Sequence, residues 1–160
     1  MQFNMYLSPQ NICIVIVLLL PNVLTIFLPP IDMPKIDRRP ANWFIIILLE
    51  RIGQIGIFVL PFFLKLSIDT DIKRYVLAAS IILIIMYYIC WVRFFFSGRL
   101  YHLFYKDLLF IPIPMAILPI LYCLGISILL NSWVYGIITF IFALGHISES
   151  LFIRNNIVQK

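Results

Sequence analysis

Apolar residues run through this chain in five blocks, 11–28, 43–64, 75–96, 108–130 and 133–153. Each is close to the ~20 residues that a helix needs to cross ~30 Å of hydrocarbon. Composition agrees with lipid as the solvent: 63% of residues are hydrophobic, 12% are charged and the mean hydropathy is +1.06, whereas soluble domains run near half apolar and a quarter charged. The connections are too short for a soluble domain, so residues 1–160 read as a single membrane domain. A β-barrel would alternate lipid-facing and lumen-facing residues, but Ile81-Ile82-Leu83-Ile84-Ile85-Met86 is apolar on every side. Helices satisfy their own backbone in lipid. The expected fold is therefore all-α, a polytopic bundle of about five transmembrane helices. No Lys or Arg precedes Lys35, so the first block lacks the cationic leader of a secretory signal and reads as a permanent helix.

Cytoplasmic loops collect Lys and Arg, and this orients the bundle. With five spans, one side receives Lys35, Arg38, Arg39, Arg93, Arg99, Lys106, Arg154 and Lys160, and the other only Lys65, Lys73 and Arg74. The count predicts an outside N-terminus and a cytoplasmic C-terminus in a multi-pass protein of the cell membrane. The same cations account for the net charge of +5 through contact with anionic headgroups of the lipid bilayer, and call for no nucleic acid. Trp43, Tyr75, Trp91, Tyr101, Tyr105 and Trp133 fall near the predicted interfaces, as aromatic belts do.

One charged island, Leu49-Glu50-Arg51-Ile52-Gly53-Gln54, interrupts the second block. An ion in hydrocarbon costs at least a few kcal/mol, so such residues face protein or a water-filled cavity. At ~1.5 Å of rise per residue, Glu50 lies about 10 Å inside the boundary set by Trp43. Arg93, His146 and Glu149 fall in the same half of the membrane, so three helices place ionisable side chains in one layer. Adjacent helical residues diverge by about 100°, and only steps of three or four share a face. Glu50 and Arg51 therefore need separate partners. Glu50, on a face with Gly53 and Gln54, is expected to pair with Arg93 or His146, and Arg51 with Glu149 or the headgroup layer. Ion pairs that merely fix helix register are the competing account.

Small and weakly polar residues at steps of three and four mark helix contacts inside membranes. Gly136, Thr139, Ala143, His146 and Ser150 form such a stripe on the fifth block; Ala79, Leu83, Met86, Cys90, Arg93 and Ser97 form one on the third. Pro112, Ala116, Pro119, Cys123 and Ser127 form one on the fourth. Pro21, Pro61, Pro112, Pro114 and Pro119 lie within blocks; each removes a backbone donor and frees a carbonyl one turn earlier, so kinks are expected. Asn22 is placed to bond a freed carbonyl or a neighbouring helix. Phe110-Ile111-Pro112-Ile113-Pro114 also allows a late start of the fourth helix near Met115. The first loop, residues 29–40, carries four prolines and reads as a stiff connector.

Catalytic signatures are sparse. Cys13, Cys90 and Cys123 lack CxxC spacing, and no HExxH, P-loop, GxSxG or GxGxxG motif occurs. His146 and Glu149, with His102 in a loop, make a poor metal set, and no cofactor or metal is expected. The segments Asn22-Val23-Leu24-Thr25-Ile26-Phe27-Leu28-Pro29-Pro30, Glu50-Arg51-Ile52-Gly53-Gln54-Ile55-Gly56 and Gly145-His146-Ile147-Ser148 resemble small uncharacterised bacterial multi-pass membrane proteins. The resemblance implies an all-helical membrane protein and carries no activity. Three function classes follow. Transport or binding of a small ligand or ion predicts a water-accessible cavity opening to the cytoplasm between the second, third and fifth helices; transport in so small a bundle also calls for a homo-oligomer. An accessory or immunity-like subunit predicts dry ion pairs and a surface for a membrane partner. An intramembrane enzyme needs a lipid-sized groove reaching His146 or Glu149.

Overall fold

The computed structural model describes residues 8–34 and 39–158. Its α-helices are α1 (Pro9–Phe27), α2 (Trp43–Val59), α3 (Asp71–Phe96), α4 (Pro114–Leu129) and α5 (Trp133–Val158), with 3-10 turns at Leu60–Phe63 and Tyr101–Phe104. Among the described residues there is no strand, only isolated bridges joining Ile31 to Leu100 and Leu108 to Ile111. Four helices (α1, α2 with its closing turn, α3 and α5) are long and apolar enough to cross a membrane. The fourth in sequence, α4, has 16 residues, about 24 Å at ~1.5 Å per residue, less than the ~30 Å of hydrocarbon. The architecture is all-α as expected, with four long apolar helices where five were expected. Lys35, Arg38 and Lys160 lie outside the described residues, as does the middle of the first loop.

Local chemistry sets the helix starts. Ser8 caps α1 by accepting from the Asn11 amide at 3.2 Å, with Pro9 at the first helical position, where its missing donor does no harm. Thr70 caps α3 in the same way through Lys73, so α3 starts four residues before the apolar block does. Just beyond it, Lys73 donates to Asp69 at 2.7 Å and to Ser67 at 3.0 Å, and hydrogen bonding to Asp69 from Lys73 first and then from Ser67 holds its carboxyl below the ordinary range. The fourth helix starts late because a residue before proline avoids the right-handed helical region. Ile113 is left-handed at φ 41°, Leu109 at φ 55°, and residues 108–113 turn back instead of helping to span.

The helices form a horseshoe in which α1 rests on α3, α3 on α4, α4 on α5 and α5 on α2. In its middle α4 is the core, with Leu118, Cys123 and Leu129 fully enclosed. Along α5, α2 runs antiparallel: Trp43 meets Phe152, Gly53 meets Phe142 and Gly56 meets Ile138. Glycine permits this approach. A Cβ on Gly53 would lie 2.5 Å from Phe142 Cα, and one on Gly145 would lie 2.4 Å from the Glu50 nitrogen.

The expected interior stripes need adjustment. On α3 the buried face is Lys73, Ser80, Tyr87, Cys90, Trp91 and Phe94; of the stripe read from sequence, Cys90 is buried but Ala79 and Ser97 are exposed. On α4, Ala116, Pro119 and Cys123 are buried while Pro112 is exposed, and on α5 Thr139, Ala143 and Ser150 are buried, with Gly136 and His146 half-buried. Of the five expected kink prolines, Pro21 and Pro119 stand inside helices; Pro61 lies in the turn ending α2, Pro114 opens α4 and Pro112 precedes it.

Two of these prolines fasten helices together. Pro21 leaves the Val17 carbonyl without its intrahelical donor, and the Tyr88 hydroxyl of α3 donates to it at 3.0 Å. Pro61 does the same to Ile57, whose carbonyl accepts from the Tyr135 hydroxyl of α5 at 3.2 Å. Asn22 donates to the Leu18 carbonyl at 2.8 Å and to the Tyr87 hydroxyl at 3.1 Å, while Asn11 ties the start of α1 to the carbonyls of Pro61 and Leu64.

Candidate functional site

The glycine crossing brings Glu50 onto α5, and its carboxylate meets His146 Nδ1 at 2.8 Å. A carboxylate only accepts, so Nδ1 carries the hydrogen, leaving Nε2 as the other polar atom of the ring. Phe142 stacks on the imidazole with centroids 4.8 Å apart and fixes its plane. The pair is partly enclosed, the Glu50 and His146 side chains being 18% and 29% exposed.

The remaining members of the expected layer go elsewhere. Glu149 pairs with Arg39 at 2.7 Å and accepts from the Trp43 indole on its other oxygen. Arg51 is exposed and donates to Gln54 at 3.2 Å and makes no ion pair with Glu149, whose partners are Arg39 and Trp43. Arg93 donates to the carbonyls of Lys106 at 2.7 Å, Asp107 at 2.9 Å and Leu103 at 3.3 Å, and so pins the segment after α3 instead of pairing with Glu50. Of the pairings read from sequence, only Glu50 with His146 is formed.

That segment, residues 98–113, folds back over the end of the bundle as a lid. Phe104 stacks on Phe94 at 4.4 Å and meets Trp91 edge-on at 5.6 Å. The Tyr101 and Tyr105 hydroxyls lie 3.1 Å apart, Ile31 bridges to Leu100, and Arg154 of α5 pairs with Asp107 at 3.1 Å. Burial, then the hydrogen bond with Tyr101, pushes the Tyr105 phenol far above its ordinary range, so it stays neutral.

Beneath the lid is a cleft of about 230 Å³. Its walls are Leu18, Asn22 and Thr25 of α1 facing Gln54, Ile57 and Phe58 of α2; α5 contributes Phe142, His146 and Ser150. Trp91 of α3 and Pro119 of α4 lie behind, with Phe104 and Tyr105 of the lid above. The cleft takes in α2, α3 and α5, between which a cavity was expected, and adds α1 and α4 to its walls. The horseshoe closes through α4, and its gap falls between α1 and α2, which meet mainly through the turn after α2. From the sequence alone Tyr105 and Trp43 read only as interface residues and Arg39 as a loop residue. Gly145, next to His146 and matched by Gly53 one turn beyond Glu50, was the available signal for the crossing.

Among the described residues, no group of three His, Cys, Asp or Glu side chains is placed to hold a metal ion. No family model, curated protein or solved structure matches the chain.

Proposed function

We propose that this chain is a multi-pass protein of the cell membrane that binds a small ligand in the cleft beside Glu50 and His146, as the binding step of a small transporter or carrier. One observation carries the reading: all five helices and the lid converge on a single cleft whose wall holds His146, the hydrogen-bond partner of Glu50. A helix register could be fixed by an ion pair alone, but that would need neither the space nor the Gln54, Ser150 and Asn22 side chains that line it. The orientation proposed is N-terminus outside, with the lid in the cytoplasm. Among the described residues, Arg39, Arg93, Arg99, Lys106 and Arg154 belong to the lid end, and Lys65, Lys73 and Arg74 to the other, as positive-inside topology favours. A homo-oligomer would complete a transport path; a monomer would act as a binder.

A second reading, an accessory subunit, has Arg51 in its favour. It is exposed midway along α2, and among the described residues no carboxylate lies within ion-pair distance of it, so a membrane partner's acceptor would suit it. Native mass spectrometry of the protein in mild detergent separates the two. The ligand reading expects a stoichiometric small-molecule adduct that disappears in Gln54→Leu and His146→Phe. A wild-type spectrum without such an adduct, showing instead a larger protein complex that Arg51→Leu dissolves, would overturn it in favour of the accessory subunit.

A further inference from the structure

Resting on the reading of the cleft as a ligand site, we infer that the ligand is an uncharged amphiphile taken sideways from the leaflet next to the lid, with its head at Ser150, His146 and Gln54 and its chain directed toward the bilayer centre.

The polarity of the lining carries the inference. Trp43 at the start of α2 meets Phe152 near the end of α5, and the chain leaving α1 bridges to the lid at Leu100. The lid end is therefore the C-terminal end of α1 and α5 and the N-terminal end of α2. Read inward from it, α1 lines the cleft with Thr25, Asn22, then Leu18. The second helix gives Gln54, then Ile57 and Phe58; α5 gives Ser150, His146, then Phe142. Each of these three helices passes from polar to apolar in the same direction, and the two four-residue steps on α5 span about 12 Å. A lipid of that leaflet has the same gradient, with the head outward and the chain inward.

The gap in the horseshoe supplies the entrance. Its two sides are α1 and α2, whose outward residues Leu20, Leu24, Ile52 and Ile55 are exposed apolar side chains, while the lid closes the end with Phe104 and Tyr105. Size restricts the occupant. At ~30 Å³ for a water-sized group, the cleft of about 230 Å³ holds a head and a few methylenes, with the rest of one chain lying in the gap. Two acyl chains exceed it.

Charge restricts it further. Among the described residues no Asp, Glu, Lys or Arg lines the cleft: Glu50 is bonded to His146, Glu149 to Arg39 and Arg93 to three carbonyls, and exposed Arg51 donates to Gln54. The polar groups that line the cleft are amide, hydroxyl and imidazole, groups that suit a hydroxylated head with both donors and acceptors.

Trp91 lines the cleft and is 5% exposed, so it can report the occupant. With Trp43→Phe and Trp133→Phe removing the other indoles, the protein is reconstituted in phosphatidylcholine nanodiscs and titrated with a monoacylglycerol carrying a dibrominated chain, whose bromines quench tryptophan on contact. The expected result is saturable quenching of Trp91, at least fivefold tighter than with the same chain presented as a free carboxylate at pH 9. Ala116→Phe, which fills the cleft, should abolish it, and the milder Gln54→Leu should weaken it at least fivefold. Quenching that never saturates and is unchanged by both variants overturns the inference, as does equal or tighter response to the carboxylate. If the bromolipid fails while a Gln54-dependent adduct persists in native mass spectra, the cleft binds a water-soluble ligand and only the lipid assignment falls. If both fail, the ligand reading falls with it.

Discussion

Replacing Gly145 by alanine tests whether the helix crossing builds the Glu50–His146 pair. The added Cβ would lie 2.4 Å from the Glu50 nitrogen and 2.6 Å from its Cα, whereas relaxed carbon contacts sit at about 3.5–4.0 Å. Since the obstacle is backbone, α2 has to retreat by roughly 1–1.5 Å. A carboxylate 2.8 Å from the imidazole then passes beyond 3.5 Å, where no hydrogen bond remains. Overpacking of this kind costs about 1–3 kcal/mol. Loss of a hydrogen bond to a charged group adds about 1.5–3 kcal/mol, toward the lower end for a pair in partial contact with solvent. At roughly 2–4 °C per kcal/mol for a chain of this size, the melting temperature in mild detergent should fall by about 5–15 °C. Gly136→Ala is the control: on the same helix its Cβ would find its nearest neighbour, Ser127 Oγ, at 3.5 Å, an ordinary contact. Differential scanning fluorimetry of both variants decides. Equal melting of Gly145→Ala and wild type, or an equal fall in Gly136→Ala, would refute the reasoning.

Tyr135→Phe should cost about 1–3 kcal/mol by leaving the Ile57 carbonyl unsatisfied, and the loss should shrink in a Pro61→Ala background, where the backbone donor returns; thermal melts of the double-mutant cycle check this. Arg93→Leu should release the carbonyls of Leu103, Lys106 and Asp107, read as faster amide hydrogen exchange across residues 98–113 with no change in α5. The carboxyl of Asp69 is held below its ordinary value by Lys73, so the stabilisation is fully present above that ordinary value and disappears as pH falls through the depressed one. Asp69→Asn should therefore flatten the acid limb of a melting-temperature profile below about pH 4, by a small amount because the group is exposed.

The helices and the one internal pair were legible because both follow from fixed geometry. A rise of ~1.5 Å per residue aligned Glu50 with His146 in depth, and the face shared with Gly53 aimed Glu50 inward. Hydropathy alone misled at the fourth block. Leu108, Leu109 and Phe110 are as apolar as any spanning residue, yet Pro112 and Pro114 turn them back, and a short α4 suffices because its neighbours surround it. Arg93, expected beside Glu50, goes elsewhere for a different reason. Its partners are carbonyls, which every residue has and no sequence pattern marks. The tyrosines on the proline-freed carbonyls were half visible: Pro21 and Pro61 announced an acceptor, but only the packing of α3 and α5 shows which donor arrives.

The pairing of Glu50 with His146 across 96 positions also sets a problem of timing in biosynthesis. At ~5–20 residues per second, Glu50 is made some 5–20 s before the histidine that answers it. During that interval α2 has no α5 to pack on, and its carboxylate has only water, the translocation machinery or a proton for company. A nascent chain that stops before residue 146 should therefore be a substrate for membrane quality control, and replacing Glu50 by glutamine should extend the lifetime of that truncated chain even as it loosens the finished one.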